Sequence, residues 1–152
     1  MEGESAFRQG MQRHDWYDAV NRAALSGGEW LCHFAAGEPP VARYRLQVPR
    51  AGKWRLWLRA NPVASARLSF RLGAGAWREV DLGRAVQSVN IAADGKPDMR
   101  FVAWVDAGEV ALARGRQVLA IRFHSANRNH GGLDCFLLAR GPFVPRGALR
   151  PG

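Results

Sequence analysis

Five hydrogen-bonding side chains crowd one short stretch of this chain: Ser125, Asn127, Arg128, Asn129 and His130, inside the segment FHSANRNHGGLDCFLL of residues 123–138. Carboxamides donate and accept at once, a guanidinium offers a planar fork, and an imidazole can do either, so the group suits recognition of a polar ligand. Gly131-Gly132 follows and lets the backbone turn sharply or approach a neighbour closely. Leu133, Cys135 and Leu137 then alternate with Asp134, Phe136 and Leu138, the pattern of a final strand fed by a polar loop. Loops on rigid sheets are where binding residues concentrate. A solvated surface loop, its Asn residues merely satisfying turns, is the plainer alternative.

Other residues with chemistry to offer lie elsewhere. Glu2 and Glu4, two apart in an extended segment, would present two hard oxygen donors on one side. Trp16 and Tyr17 could form a stacking platform for a sugar or plug the open edge of a core; the local pattern does not choose between them. On the strand Lys53 to Ala60, Trp54, Leu56, Leu58 and Ala60 share one face, which leaves Trp57 among Lys53, Arg55 and Arg59 on the other. Arg59 and Trp57 could line a ligand face, or a covering loop could lie over Trp57. AADGKPD, residues 92–98, lacks the spacing and closing Glu of an EF-hand and reads as a structural turn.

The elements that must position these residues are strands. Ala42, Tyr44, Leu46 and Val48 alternate with Val41, Arg43, Arg45 and Gln47; Leu68, Phe70 and Leu72 alternate with Arg67, Ser69 and Arg71. Phe101, Ala103 and Val105 repeat the period, and Trp30, Cys32 and Phe34 alternate inward after a Ser26-Gly27-Gly28 turn. About eight strands without an amphipathic helix predict an all-β, two-sheet antiparallel sandwich or jelly roll. Residues 1–141 form the domain in this reading, and the Pro- and Gly-rich residues 142–152 an exit tail or linker. Cys32 and Cys135 are too few for a disulfide scaffold and too far apart for a zinc knuckle, and two buried free thiols are favoured over a single bridge.

A chain of 152 residues with 47% hydrophobic content can bury one core. It carries a net charge of +9, and all but Lys53 and Lys96 of its 22 basic residues are arginine. Guanidinium forks grip carboxylates and sulfates, so an acidic polymer is a natural partner, although coding bias would scatter arginines too. Because the arginines are spread along the sequence, a nucleic-acid binder is disfavoured. No apolar run is long enough for a membrane span, and the start lacks the features of a signal peptide.

Glu2-Gly3-Glu4, YRLQVPRAGKWRLWLRA, VALARGRQVLAIRF and GGLDCFLL, in that order, resemble carbohydrate-binding modules of families six and thirty-five, within the galactose-binding-like jelly rolls. The resemblance spans nearly the whole domain, with Trp54 where those families carry Tyr. It implies a non-catalytic module that recognises polysaccharide through end loops, linked to further domains of a secreted protein, extracellular or periplasmic. It further implies that Asn127 or Asn129 contacts sugar with Arg128 and His130 beside them, that Trp16 or Tyr17 supplies the platform, and that Arg59 is either a ligand contact or half of an internal ion pair. A structural calcium ion is expected on Glu2 or Glu4 together with Asp134. Six tryptophans and the guanidinium excess point to an acidic glycan. A jelly-roll polysaccharide lyase built from His124, Tyr44 and Arg45 is the enzymatic alternative, weakened because Tyr44 and Arg45 face opposite sides of one strand.

Overall fold

The computed structural model describes residues 1–96, 98–125 and 128–147. Nine strands form two antiparallel sheets: β1 (Leu31–Phe34), β2 (Val41–Val48), β3 (Gly52–Ala60), β4 (Ala66–Leu72), β5 (Arg78–Val80), β6 (Val86–Asn90), β7 (Phe101–Leu112), β8 (Gly115–Ser125) and β9 (His130–Ala139). One sheet runs β1-β9-β3-β7-β6 and the other β2-β8-β4-β5. Among the described residues the only helical pieces are single 3-10 turns. The expected sandwich is therefore the observed one.

Period-two alternation builds the core. Tyr44 and Leu46, Leu56 and Leu58, Leu68 and Phe70, and Ile121 and Phe123 project from facing strands into one buried cluster. Tyr44 packs edge-on against Phe136 at 4.9 Å and donates its hydroxyl to the Gly3 carbonyl at 2.6 Å. A Cβ on Gly3 would lie 2.1 Å from the Leu133 carbonyl oxygen, so only glycine brings the N-terminus this close to β9.

A second cluster sits on the outer side of the five-stranded sheet, where Tyr17, Val20, Leu25 and Trp30 cover Cys32 and Val102. Trp30, Cys32 and Phe34 thus alternate toward this outer layer, whereas Leu31 joins the intersheet core. Both faces of β1 are buried, which period alone cannot reveal. The expected exit tail also lies partly on this side. Phe143 meets Trp57 and Trp104 edge-on at 5.3 and 5.1 Å, and the Trp104 indole donates to the Gly147 carbonyl at 3.0 Å. Phe143 is the cover over Trp57.

Candidate functional site

At one end of the sandwich, the links after β1, β3, β6 and β8 converge. The turn at Arg128 and Asn129 has both residues at positive φ, 46° and 48°, a conformation Asn tolerates better than Arg. It is pinned by Ala35 N–H donating to the Arg128 carbonyl at 2.9 Å and by the Asn129 amide donating to the Gly37 carbonyl. The chain reverses here, not at the glycine pair, which lies within β9. Those glycines serve close approach: a Cβ on Gly132 would lie 2.5 Å from the Trp30 ring. Arg128 is exposed and Asn129 half-buried at the rim, while Asn127 lies outside the described residues.

His130 is not a rim residue. It is 3% exposed, with Nδ1 hydrogen-bonded to the Tyr17 hydroxyl at 2.6 Å and Nε2 to the Ser65 hydroxyl at 2.5 Å. Burial lowers its pKa and favours neutral imidazole. Tyr17 is likewise core, with no exposed surface and an edge-on contact to Trp30 at 5.4 Å. Neither can offer a ligand face, because both are buried and their polar atoms are spent, Tyr17 on His130 and His130 on Tyr17 and Ser65. Of the paired aromatics, Trp16 is the one that reaches the surface.

Trp16 lines a recess of about 230 Å³ with His14, Phe34 and Met99. A buried arginine holds it there. Arg100 donates to the Trp16 and Ala19 carbonyls at 3.3 and 2.6 Å and lies over the indole at 5.3 Å. The guanidinium also binds Asp94 at 2.7 Å and Asp98 at 2.6 Å, and Asp98 in turn accepts the indole N–H at 3.0 Å. The Arg100 hydrogen bonds keep both carboxyls below the usual carboxylate range. Asp94 and Asp98 of this segment are structural, and what they structure is the setting of Trp16. Sequence reading missed Arg100 and assigned Phe34 to the core; two acids closing on an arginine two residues later was the available signal.

Arg59 and Asp134 are both buried, and Arg59 Nη1 donates to Asp134 Oδ2 at 2.6 Å and to the Ala24 carbonyl at 2.9 Å. Arg59 is therefore the internal ion pair and makes no part of a ligand face. The backbone N–H of Ser26 donates to Asp134 Oδ1 at 2.8 Å. Burial raises the Asp134 carboxyl above its ordinary value, with Arg59 working against it. Glu2 pairs with Cys135 across the edge of β9, but Gly3–Ser5 is a 3-10 turn, so exposed Glu4 does not share a strand face with half-buried Glu2. Calcium takes about six to eight oxygens. Both Asp134 oxygens here accept N–H groups, and among the described residues no group of three or more His, Cys, Asp or Glu gathers around them.

The lyase set does not converge. Tyr44 is buried, Arg45 lies over the Phe7 ring at 4.0 Å on the opposite face, and His124 Nε2 is hydrogen-bonded to Ser69 at 2.8 Å. Cys32 and Cys135 are buried free thiols. Cys32 stands opposite Gly132, three residues short of Cys135 along β9, or about 10 Å away. Burial pushes their pKa values up to about 11 and about 12.

No protein-family model matches the sequence, and no curated protein matches it significantly. Solved structures do match. CBM35 from Cellvibrio japonicus Abf62 aligns over 93% of this chain and 89% of its own at 14% identity and a TM-score of 0.58. The chain has the fold of a family 35 carbohydrate-binding module. A Xyl-CBM35 in complex with a glucuronic acid containing disaccharide aligns over 93% of both chains at 15% identity and a TM-score of 0.59. The Podospora anserina GH26-CBM35 beta-(1,4)-mannanase matches 96% of this chain at 18% identity and a TM-score of 0.61, and the chain spans 28% of that protein. Among the described residues, no helix is long and apolar enough to cross a membrane.

Proposed function

We propose that this domain is a non-catalytic carbohydrate-binding module that holds a polysaccharide, an acidic one, at the loop end of the sandwich. The observation that carries the reading is the recess of Trp16, Phe34, His14 and Met99 beside the turn bearing Arg128 and Asn129. An indole and a phenyl ring supply apolar surface for the C–H face of a sugar, Asn129 supplies an amide for hydroxyls, and exposed Arg128 supplies a fork for a carboxylate or sulfate. The fold shared with a module bound to a glucuronic acid containing disaccharide supports the ligand class. In this reading the cation beside Asp134 is the Arg59 guanidinium, not calcium. The module is joined to a further domain of a carbohydrate-active protein and works outside the cytoplasm, extracellular or periplasmic.

A glycan array followed by calorimetry tests this. Trp16→Ala is expected to weaken binding about tenfold or more, and Arg128→Gln to weaken acidic glycans while leaving neutral ones unchanged. Unaltered binding by both variants would place the ligand elsewhere.

A further inference from the structure

The arginines that look scattered in sequence are gathered by strand geometry. On the four-stranded sheet, the residues facing away from the core include Arg43 and Arg45 of β2, Arg67 and Arg71 of β4, and Arg116 and Arg122 of β8. The registers set them around a small-residue centre line: Val118 stands opposite Arg45, and Ala120 is flanked by Arg43 on one side and Arg71 on the other. Neighbouring strands lie about 4.8 Å apart and alternate residues about 7 Å apart. Arg43 and Arg71 thus form rails about 10 Å apart on either side of buried Ala120, with half-buried Val118 continuing the floor between them. At one end the floor opens into a recess of about 470 Å³ lined by Arg45, Gln47, Gly73, Arg116 and Val118. At the other, Arg8 bridges to Arg43 beside a second recess.

Little on this face cancels the charge. Among the described residues its ion pair is Arg67 with Glu79. Three of the other guanidinium groups are laid on aromatic rings: Arg122 and Arg71 over Trp77 at 3.9 and 4.7 Å, and Arg45 over Phe7 at 4.0 Å. A stacked guanidinium is pre-organised and loses less side-chain freedom when it binds an anion.

We infer that the outer face of the β2-β8-β4-β5 sheet is a second binding surface, for a linear acidic polysaccharide lying along β2 and β8, separate from the recess at Trp16. Its carboxylates or sulfates would meet the arginine rails while its sugar rings pass over half-buried Val118; Ala120, 3% exposed, only spaces the rails. The rings of Trp77 and Phe7 are engaged by guanidinium groups, so the face offers no bare platform of the sort single-stranded nucleic acids stack on. Nor does a flat sheet face supply an element to enter a duplex groove. The inference rests on the proposed function only in the class of ligand.

Affinity electrophoresis in gels containing polygalacturonate, neutral galactomannan or single-stranded DNA tests it. The parent is compared with Arg43→Gln/Arg45→Gln/Arg116→Gln and with Lys53→Gln/Arg55→Gln/Arg140→Gln, which removes the same charge from the other sheet; each variant is first shown to melt cooperatively. The first triple is expected to weaken polygalacturonate binding about tenfold, a factor of about two for each exposed contact, and the second by much less. Equal losses would reduce the effect to net charge and overturn the site. No retardation of the parent by polygalacturonate overturns it too, as does tighter binding of single-stranded DNA lost in the same triple. Loss in Trp16→Ala with none in the first triple would keep the loop-end reading and overturn this one; the reverse would do the opposite.

Discussion

Arg59 and Asp134 face each other at 2.6 Å on neighbouring strands, both sealed from water by the turn that carries Ala24 and Ser26. The pair fastens the N-terminal layer to the outer side of the five-stranded sheet. Removing one partner strands the other as a buried charge, so Arg59→Met or Asp134→Leu alone should cost about 3–5 kcal/mol in urea unfolding. The double variant, Arg59→Met/Asp134→Leu, should recover only part of that loss. It removes both charges together, but it also takes the Arg59 donor from the Ala24 carbonyl and the Asp134 acceptor from the buried Ser26 N–H. With a guanidinium in the cation position, a chelator should leave the melting temperature of the parent unchanged. A fall on adding EDTA that calcium reverses would return the metal to this site.

His130 should make stability depend on pH. Burial lowers its folded-state pKa below the unfolded value, so the fold prefers the neutral ring. Its contribution is fully present above the unfolded value of about 6.5 and is lost as pH falls from there through the folded pKa, because over that window the unfolded chain binds the extra proton. His33 and His124 are lowered by burial in the same direction. Melting temperature should therefore drop between pH 7.5 and 5, and His130→Gln, which can still meet Tyr17 and Ser65, should show a shallower slope. An identical slope in the variant would remove His130 from the account.

Gly3→Ala is expected to be among the costliest small substitutions in the chain. The new methyl would be driven onto the Leu133 carbonyl oxygen, which is backbone and cannot swing aside. Relief must come from moving the N-terminal segment, which also loosens the Tyr44 hydrogen bond to the Gly3 carbonyl. A loss of about 2 kcal/mol or more is expected, against almost none for Gly141→Ala, where nothing lies near the added atom.

The sandwich was legible because its strands keep strict period two: β2, β4 and β8 each send large apolar residues inward and arginines outward. What hides is burial imposed from outside the strand. Tyr17 and His130 look like surface chemistry in sequence, yet they hydrogen-bond to each other under a layer of loops whose path no periodicity encodes. Arg59 sits on the polar side of β3 by alternation, and only the turn at 24–26 makes that side an interior. Gathering of the arginines was equally invisible, since it depends on strand order and register.

The setting of Trp16 offers the sharpest separation of ligand binding from folding. Asp98 receives the indole N–H and two groups of the Arg100 guanidinium, but does not line the recess. Asp98→Asn keeps the shape and an acceptor for the indole, yet removes the charge that holds Arg100, whose remaining acidic partner is Asp94. The indole should then sample more orientations, weakening an identified glycan about three- to tenfold with little change in the Arg43 and Arg45 surface. The loosening should appear as a rise in acrylamide quenching from parent to Asp98→Asn that is absent from Trp16→Phe to Trp16→Phe/Asp98→Asn, a difference that isolates Trp16 from the other five tryptophans. Tightened or unchanged glycan binding together with greater quenching would show that the fixed indole is not what the ligand reads.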